Sequence, residues 1–367
     1  MNQEQTARLS GIGLTPELAR RIEECLENLS EECTALRVVA VHRETLQLHD
    51  GEREFAARLL PWLARELAAS GSAVAARGSP LAVGDWVLAE RDEHAQAWVH
   101  ARIEPVSHIA RRDGDGRSHA VVSNVQTALL VMGLDDDFNL RRLERFLALV
   151  HSSGVLPVVV LTKADLAADP QRNQQCLAAL HARLGSSLPA LCVDARDSAA
   201  AHALQPWLVA GQTLVLLGSS GAGKSTLTNS LLGTAVQDTG RVRESDRRGQ
   251  HTTTSRCLFR LTGGACIIDT PGVRTLSLDA GAALDAGFAD IEALRATCRF
   301  RDCRHLDEPG CAVRSNVDSD RLSNYHKLSR EMRRDSMSAL QRREQLSMWK
   351  ARGKAGAARL KAKRGEG

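Results

Sequence analysis

A chain of 367 residues is longer than one hydrophobic core usually fills, so two or three domains are expected. Hydrophobic residues at 43% and charged residues at 25% are ordinary for soluble globular chains and exclude disordered and collagen-like classes. The longest apolar run, 155–161, is far short of the ~20 residues that cross a bilayer. The first 30 residues hold five glutamates and no apolar signal core, so a cytoplasmic protein with no membrane partner is expected. The net charge of +4 is unevenly spread, with twelve Lys/Arg against four Asp/Glu from Arg330 to the end and a net −4 before it. Such a tail is either a nucleic-acid contact or a solvated helix end.

Residues 1–34 form a polar, partly helical extension, with Pro16 placed to open a helix after Thr15. Five short β-like runs follow: 36–43, 45–49, 54–60, 85–90 and 97–103, separated by turn signals at Asp50-Gly51 and Gly84-Asp85. They predict a small barrel over 35–112, of the oligonucleotide-binding (OB-like) or the SH3-like kind. The stretch 61–83, rich in Ala, Gly and Ser, reads as a long loop of that barrel. Only Phe55, Trp62, Trp86 and Trp98 could stack on bases there, which favours phosphate and shape contacts with RNA. The polar run 111–116 marks the end of the barrel. Beyond it, over 113–280, apolar strands at 127–132, 155–161, 213–217 and 265–268 alternate with helical segments, predicting a parallel sheet with helices on both faces. A helix over 140–151 would bury Leu143, Phe146, Leu147 and Val150.

Gly218-Ser219-Ser220-Gly221-Ala222-Gly223-Lys224-Ser225 fits G-x-x-x-x-G-K-[ST], between a strand and the helical segment that opens at Thr226. The glycines allow backbone N–H groups to turn toward phosphates. Lys224 can reach the β and γ oxygens, and Ser225 offers a hydroxyl to Mg²⁺. Asp269-Thr270-Pro271-Gly272 ends a strand, where Asp269 can enter the magnesium shell and the Gly272 N–H can meet a γ-phosphate. Thr162-Lys163-Ala164-Asp165 ends another. A carboxylate at Asp165 would accept from guanine N1 and N2, with the Lys163 stem over the base, and adenine offers no such pair of donors. GTP and GDP are the nucleotides expected. Between these motifs lies Gly249-Gln250-His251-Thr252-Thr253-Thr254. Thr253, or Thr252 beside it, could hold Mg²⁺ while the γ-phosphate is present. Val273 follows Gly272 where many GTPases have a water-orienting glutamine, leaving His251 as the nearest group able to accept from an attacking water.

Cys298, Cys303, His305 and Cys311 give C-x₄-C-x-H-x₅-C within 281–329. Three thiolates and one imidazole complete a tetrahedral shell suited to one structural zinc. In a segment too small to fill its own core, the metal would hold the fold. The other six cysteines lack such company.

These motifs resemble the GTPases related to the translation factors, in a reordered form: base motif first, phosphate loop second, Asp269–Gly272 last. That order resembles a circularly permuted GTPase. With the barrel, the zinc segment and the basic tail over 330–367, the chain is similar to the family of circularly permuted GTPases that depend on the small ribosomal subunit. The resemblance implies an α/β P-loop domain flanked by an OB-like barrel and a helical zinc-binding domain. It implies binding to the small subunit and its rRNA late in assembly, hydrolysis of GTP stimulated there, and use of His251 in that step. Asp194-Ala195 would back the base, although Asp194 stands where many relatives have a small hydroxyl or thiol residue. A monomer is expected. Two other readings stay open: a GTPase for another RNA such as tRNA, and a zinc RNA-binding sensor without turnover.

Overall fold

The structure is a computed structural model that describes residues 1–27, 29, 33–42, 45–69, 81–94, 96–112, 118–166, 170–233, 256–271, 284, 287–335 and 347–348. The expected 249–254 loop, with His251 and Thr253, lies outside these residues, as do Gly272 and most of the basic tail.

Two helices open the chain, α1 (Gln3–Ser10) and α2 (Pro16–Leu26). As the sequence suggests, α2 starts at Pro16 with the Thr15 hydroxyl accepting from the Leu18 N–H. The extension is not a loose lead-in, because Leu9, Ile12, Leu14, Leu18 and Ile22 are all buried in the largest core cluster.

The barrel consists of β1 (Thr34–Val41), β2 (Leu46–His49), β3 (Glu54–Leu59), β4 (Trp86–Arg91) and β5 (Ala97–Arg102). The strands close in the order β1-β2-β3-β5-β4-β1, with β3 and β5 parallel. The helix α3 (Pro61–Ala69) stands between β3 and β4, so the first part of the expected 61–83 loop is helical. This ring with its intervening helix is the OB-like alternative. Its interior is apolar, filled by Leu36, Val38, Leu48, Ala57, Val87 and Val99. Of the four aromatics, Trp86 is fully buried, Trp98 donates from Nε1 to Asp92, Phe55 lies under the Arg91 guanidinium, and Trp62 is exposed. Two further strands, β6 (His108–Arg112) and β7 (Ser118–Ser123), pair antiparallel; the polar stretch begins within β6 at 111–112, and its remainder, 113–116, lies outside the described residues.

The second domain is built on β8 (Thr127–Gly133), β9 (Leu156–Thr162), β10 (Ala190–Cys192), β11 (Thr213–Leu217), β12 (Cys257–Arg260) and β13 (Cys266–Asp269). Strands β10-β9-β8-β11-β13 run parallel in that order. Antiparallel β12 closes the edge and meets the barrel through the Ala40–Cys257 pair. Both faces are covered. Along β8, Ala128, Leu130 and Met132 enter one cluster while Leu129 and Val131 enter the other, as a period of two on a doubly covered sheet requires. The helices are α4 (Leu140–Ser152), α5 (Pro170–Leu184), α6 (Ala199–Leu204) and α7 (Lys224–Leu232). On α4 the four expected apolar residues are buried, and so is Glu144, which is clasped by Arg183, Arg321 and Asn324.

The C-terminal part holds α8 (Ala289–Arg295), α9 (Ala312–Asn316) and α10 (Ser319–Asp335), with Arg321 on α10 bridging Glu144 and Asp290. One cation ties the extension, the barrel and the sheet. Arg37 on β1 is fully buried and donates to the Ile12 carbonyl, to Thr213 Oγ1 at 2.9 Å and to the Asn124 carbonyl at 3.2 Å. No described helix is long and apolar enough to cross a membrane.

Candidate nucleotide site and metal centre

The parallel strands β9, β8, β11 and β13 all end at one edge of the sheet, where open α/β sheets place their ligands. The base motif leaves β9, the phosphate loop leaves β11, and Asp269 ends β13. Residues scattered over more than a hundred positions therefore meet at one rim.

In the phosphate loop, Gly221 and Gly223 have φ of +82° and +90°, a backbone that L side chains rarely adopt. Gly218 is required for space, since a Cβ there would lie 2.2 Å from the Val131 carbonyl oxygen. Ser220 is exposed and Ala222 buried, with Thr226 on the first turn of α7. The turn delivers Lys224 as the first residue of α7. Its ammonium is buried and donates to the carbonyls of Gly218 (3.0 Å) and Ser219 (2.7 Å). Burial pushes its pKa down to about 8, against the opposing pull of Asp269 and Asp137. Ser225 Oγ donates to Asp269 Oδ2 at 3.2 Å. Burial pushes the Asp269 carboxyl upward, against Lys224 and Ser225, and its Oδ1 is buried with no hydrogen-bond partner. An orphaned carboxylate oxygen beside a serine hydroxyl is a donor set that fits a hard cation such as Mg²⁺.

The base motif abuts this loop. Thr162 is fully buried and its Oγ1 donates to the Ala222 carbonyl at 2.6 Å, while Gly223 leaves room for it. Lys163 has φ +62° and pairs with Asp135 at 2.6 Å. Asp165 sits in a short 3₁₀ turn with its Oδ2 2.5 Å from Arg196 Nη2, and the same arginine reaches Asp194 Oδ1 at 3.2 Å. The hydrogen bond from Arg196 holds the Asp194 carboxyl below its usual range.

Three of these side chains are not singled out by the sequence. Asp135 and Asp137 follow β8; Asp137 accepts from Ser219 Oγ at 2.6 Å and also pairs with Arg142. Arg196 completes the set. The acidic run 135–137 directly after an apolar strand is the one available signal, since it falls at the carboxyl end where ligands gather.

All four ligands of the C-terminal cluster converge, with donor atoms within 4.8 Å of one another. Cys298 Sγ lies 3.7 Å from His305 Nδ1 and 4.0 Å from Cys311 Sγ, and Cys311 Sγ lies 3.4 Å from His305 Nδ1. Those separations are close to the edges of a tetrahedron around a zinc-sized ion, so the group fits a metal. Cys311 also caps α9, and His305 adopts φ +60° to bring its ring inward.

Comparison with known proteins agrees with this arrangement. Residues 103–279 match the model of the RsgA GTPase family. Small ribosomal subunit biogenesis GTPase RsgA of Xanthomonas oryzae pv. oryzae is 48% identical over 259 residues, covering 68% of this chain and 69% of that protein. The protein of the same name from Xylella fastidiosa is 48% identical over 255 residues, covering 68% and 73%. Among solved structures, YjeQ from Thermotoga maritima superposes with a TM-score of 0.59 at 22% identity over 82% of this chain and 98% of its own. YloQ, a circularly permuted GTPase, gives 0.56 at 19% over 84% and 98%. On its sequence identity to those relatives and on its permuted fold, the chain belongs to the RsgA family of GTPases.

Proposed function

We propose that this protein binds the small ribosomal subunit late in its maturation and hydrolyses GTP there, stimulated by the subunit. The observation that supports the reading is the hydrogen bond from Thr162 to the Ala222 carbonyl, which sets the segment leading to Asp165 against the glycine-rich loop. Asp165 accepts from the guanine N1 and N2 groups and the Lys163 stem covers the base, with the Asp194-Ala195 segment behind it. Backbone N–H groups of residues 218–226 and the Lys224 ammonium bind the phosphates. Ser225 and Asp269 hold Mg²⁺, joined by Thr253 (or Thr252), while the Gly272 N–H meets the γ-phosphate. When bound, Mg²⁺ neutralises charge that develops on the phosphate oxygens. His251 orients the attacking water, and turnover is slow until the subunit fixes the segment that carries it.

Cys298, Cys303, His305 and Cys311 hold one structural zinc, and the barrel and basic tail meet rRNA phosphates. The protein acts as a monomer in the cytoplasm. Phosphate release measured with and without purified small subunits tests this. The expected result is slow magnesium-dependent release from GTP, at least ~10-fold faster with subunits, and none from ATP. Equal turnover of ATP, or no response to subunits, would overturn the reading.

A further inference from the structure

The barrel brings together a second set of metal-binding side chains, far in sequence from the Cys298–Cys311 group. Cys33, Glu90 and His100 present a sulfur, a carboxylate oxygen and a ring nitrogen that all lie within 4.8 Å of one another. Register explains the meeting. Thr34 pairs with Ala89 across β1 and β4, so Cys33, just ahead of the strand, falls level with Glu90. On the other side of β4, Leu88 pairs with Ala101 and Ala89 with Val99, so His100 is the extra residue of a β-bulge. A bulge re-aims the side chain it carries, and here the imidazole Nε2 comes to 3.4 Å from Glu90 Oε2. Cys33 is buried, whereas Glu90 and His100 are about 30% exposed, so the sulfur forms the floor of a small site open at its rim.

The geometry points to a second metal site at Cys33, Glu90 and His100, taking a borderline-soft divalent cation of the zinc class. One thiolate, one imidazole and one carboxylate are all ligand types that zinc accepts. Ligand atoms around zinc stand roughly 3.3–3.8 Å apart at bonds of 2.0–2.3 Å, so small rotamer shifts suffice to close the set. Three protein ligands leave a fourth position for water or an incoming group. A cation there would tie the residue that precedes β1 to β4 and β5 at the seam where the barrel closes.

The test is metal stoichiometry on the full chain, stripped by chelation and titrated with Co²⁺ while thiolate charge-transfer absorption is followed. His100→Ala and Glu90→Gln are the primary variants, since both side chains reach the surface and their loss spares the core. The parent protein is expected to take up one more equivalent than His100→Ala, with Glu90→Gln behaving like His100→Ala. The absorption of the Cys298–Cys311 group should be unchanged in both. Cys303→Ser should still bind an equivalent that His100→Ala then removes. Equal stoichiometry in the parent and His100→Ala would overturn the site, whatever the Cys298–Cys311 group binds.

Discussion

Thr162 Oγ1 donates to the Ala222 carbonyl across 2.6 Å, joining the segment proposed to read a base to the loop proposed to hold phosphates although sixty positions separate them. The contact is fully buried, so replacing Thr162 by Val leaves a carbonyl in the phosphate loop without that donor. The expected cost is about 1–2 kcal/mol, or roughly 5- to 30-fold weaker binding. GTP and GDP should suffer alike, because no γ-specific contact is assigned to the Ala222 carbonyl. Calorimetric titration of both nucleotides checks this, and a loss confined to GTP would contradict it.

Arg196 holds the carboxylate that the base is expected to use, at 2.5 Å from Asp165 Oδ2. Its guanidinium offers the same kind of paired N–H donors that guanine does, so the two compete for one acceptor. The arginine is 65% exposed, so solvent screening keeps the pair weak. Arg196→Ala should therefore tighten GDP binding by up to ~5-fold, read by fluorescence titration with a labelled nucleotide. Weaker binding would mean that the guanidinium assists the base instead.

Lys224 provides a pH signature. Its folded-state pKa of about 8 lies below the ordinary 10.5 because burial disfavours the charged form. Between those two values the unfolded chain holds a proton that the folded chain has released, so stability without nucleotide rises with pH through that window. The gain relative to Lys224→Met should approach about 3 kcal/mol by the top of the window. Urea midpoints of the two proteins at pH 8 and pH 10 test the sign: the parent midpoint should rise relative to that of Lys224→Met, and a relative fall would refute it.

His251→Ala should lower subunit-stimulated turnover by roughly 10²- to 10⁴-fold, the usual range for a lost proton-accepting group. Nucleotide affinity should stay within about 2-fold, since the imidazole is assigned to the water and not to the phosphates. Single-turnover phosphate release with saturating subunits separates the two effects. Full stimulated activity in the variant would remove His251 from the mechanism.

Sequence motifs locate the phosphate loop, Thr162–Asp165, Asp269 and the Cys298–Cys311 group because each is short, and glycine or ligand spacing carries the signal. They do not locate Asp135 as the partner of Lys163, Arg196 as the partner of Asp165, or the clasp around Glu144. Each of those rests on charges brought together by strand order and helix docking, and an isolated charge leaves no periodic trace. Glu144 even occupies a buried position on a helix whose apolar face reads correctly. The 61–83 stretch misleads for a related reason: alanine-rich composition suits a helix as well as a loop, and the structure makes a helix of its first nine residues.

Arg37 fixes what can be cut from this protein. Its charge has no carboxylate within hydrogen-bond reach among the described contacts; Nη1 and Nη2 are met by oxygens from residues 12, 124 and 213, while Nε is buried without a partner. A truncated form beginning at the barrel would deprive the guanidinium of one acceptor and expose the core surface on which Leu9, Ile12, Leu14, Leu18 and Ile22 pack. Such a fragment should unfold at markedly lower temperature, and adding Arg37→Met to it should recover part of the loss. Helices α1 and α2 are thus a wall of the core they share with the sheet, not an ornament on it.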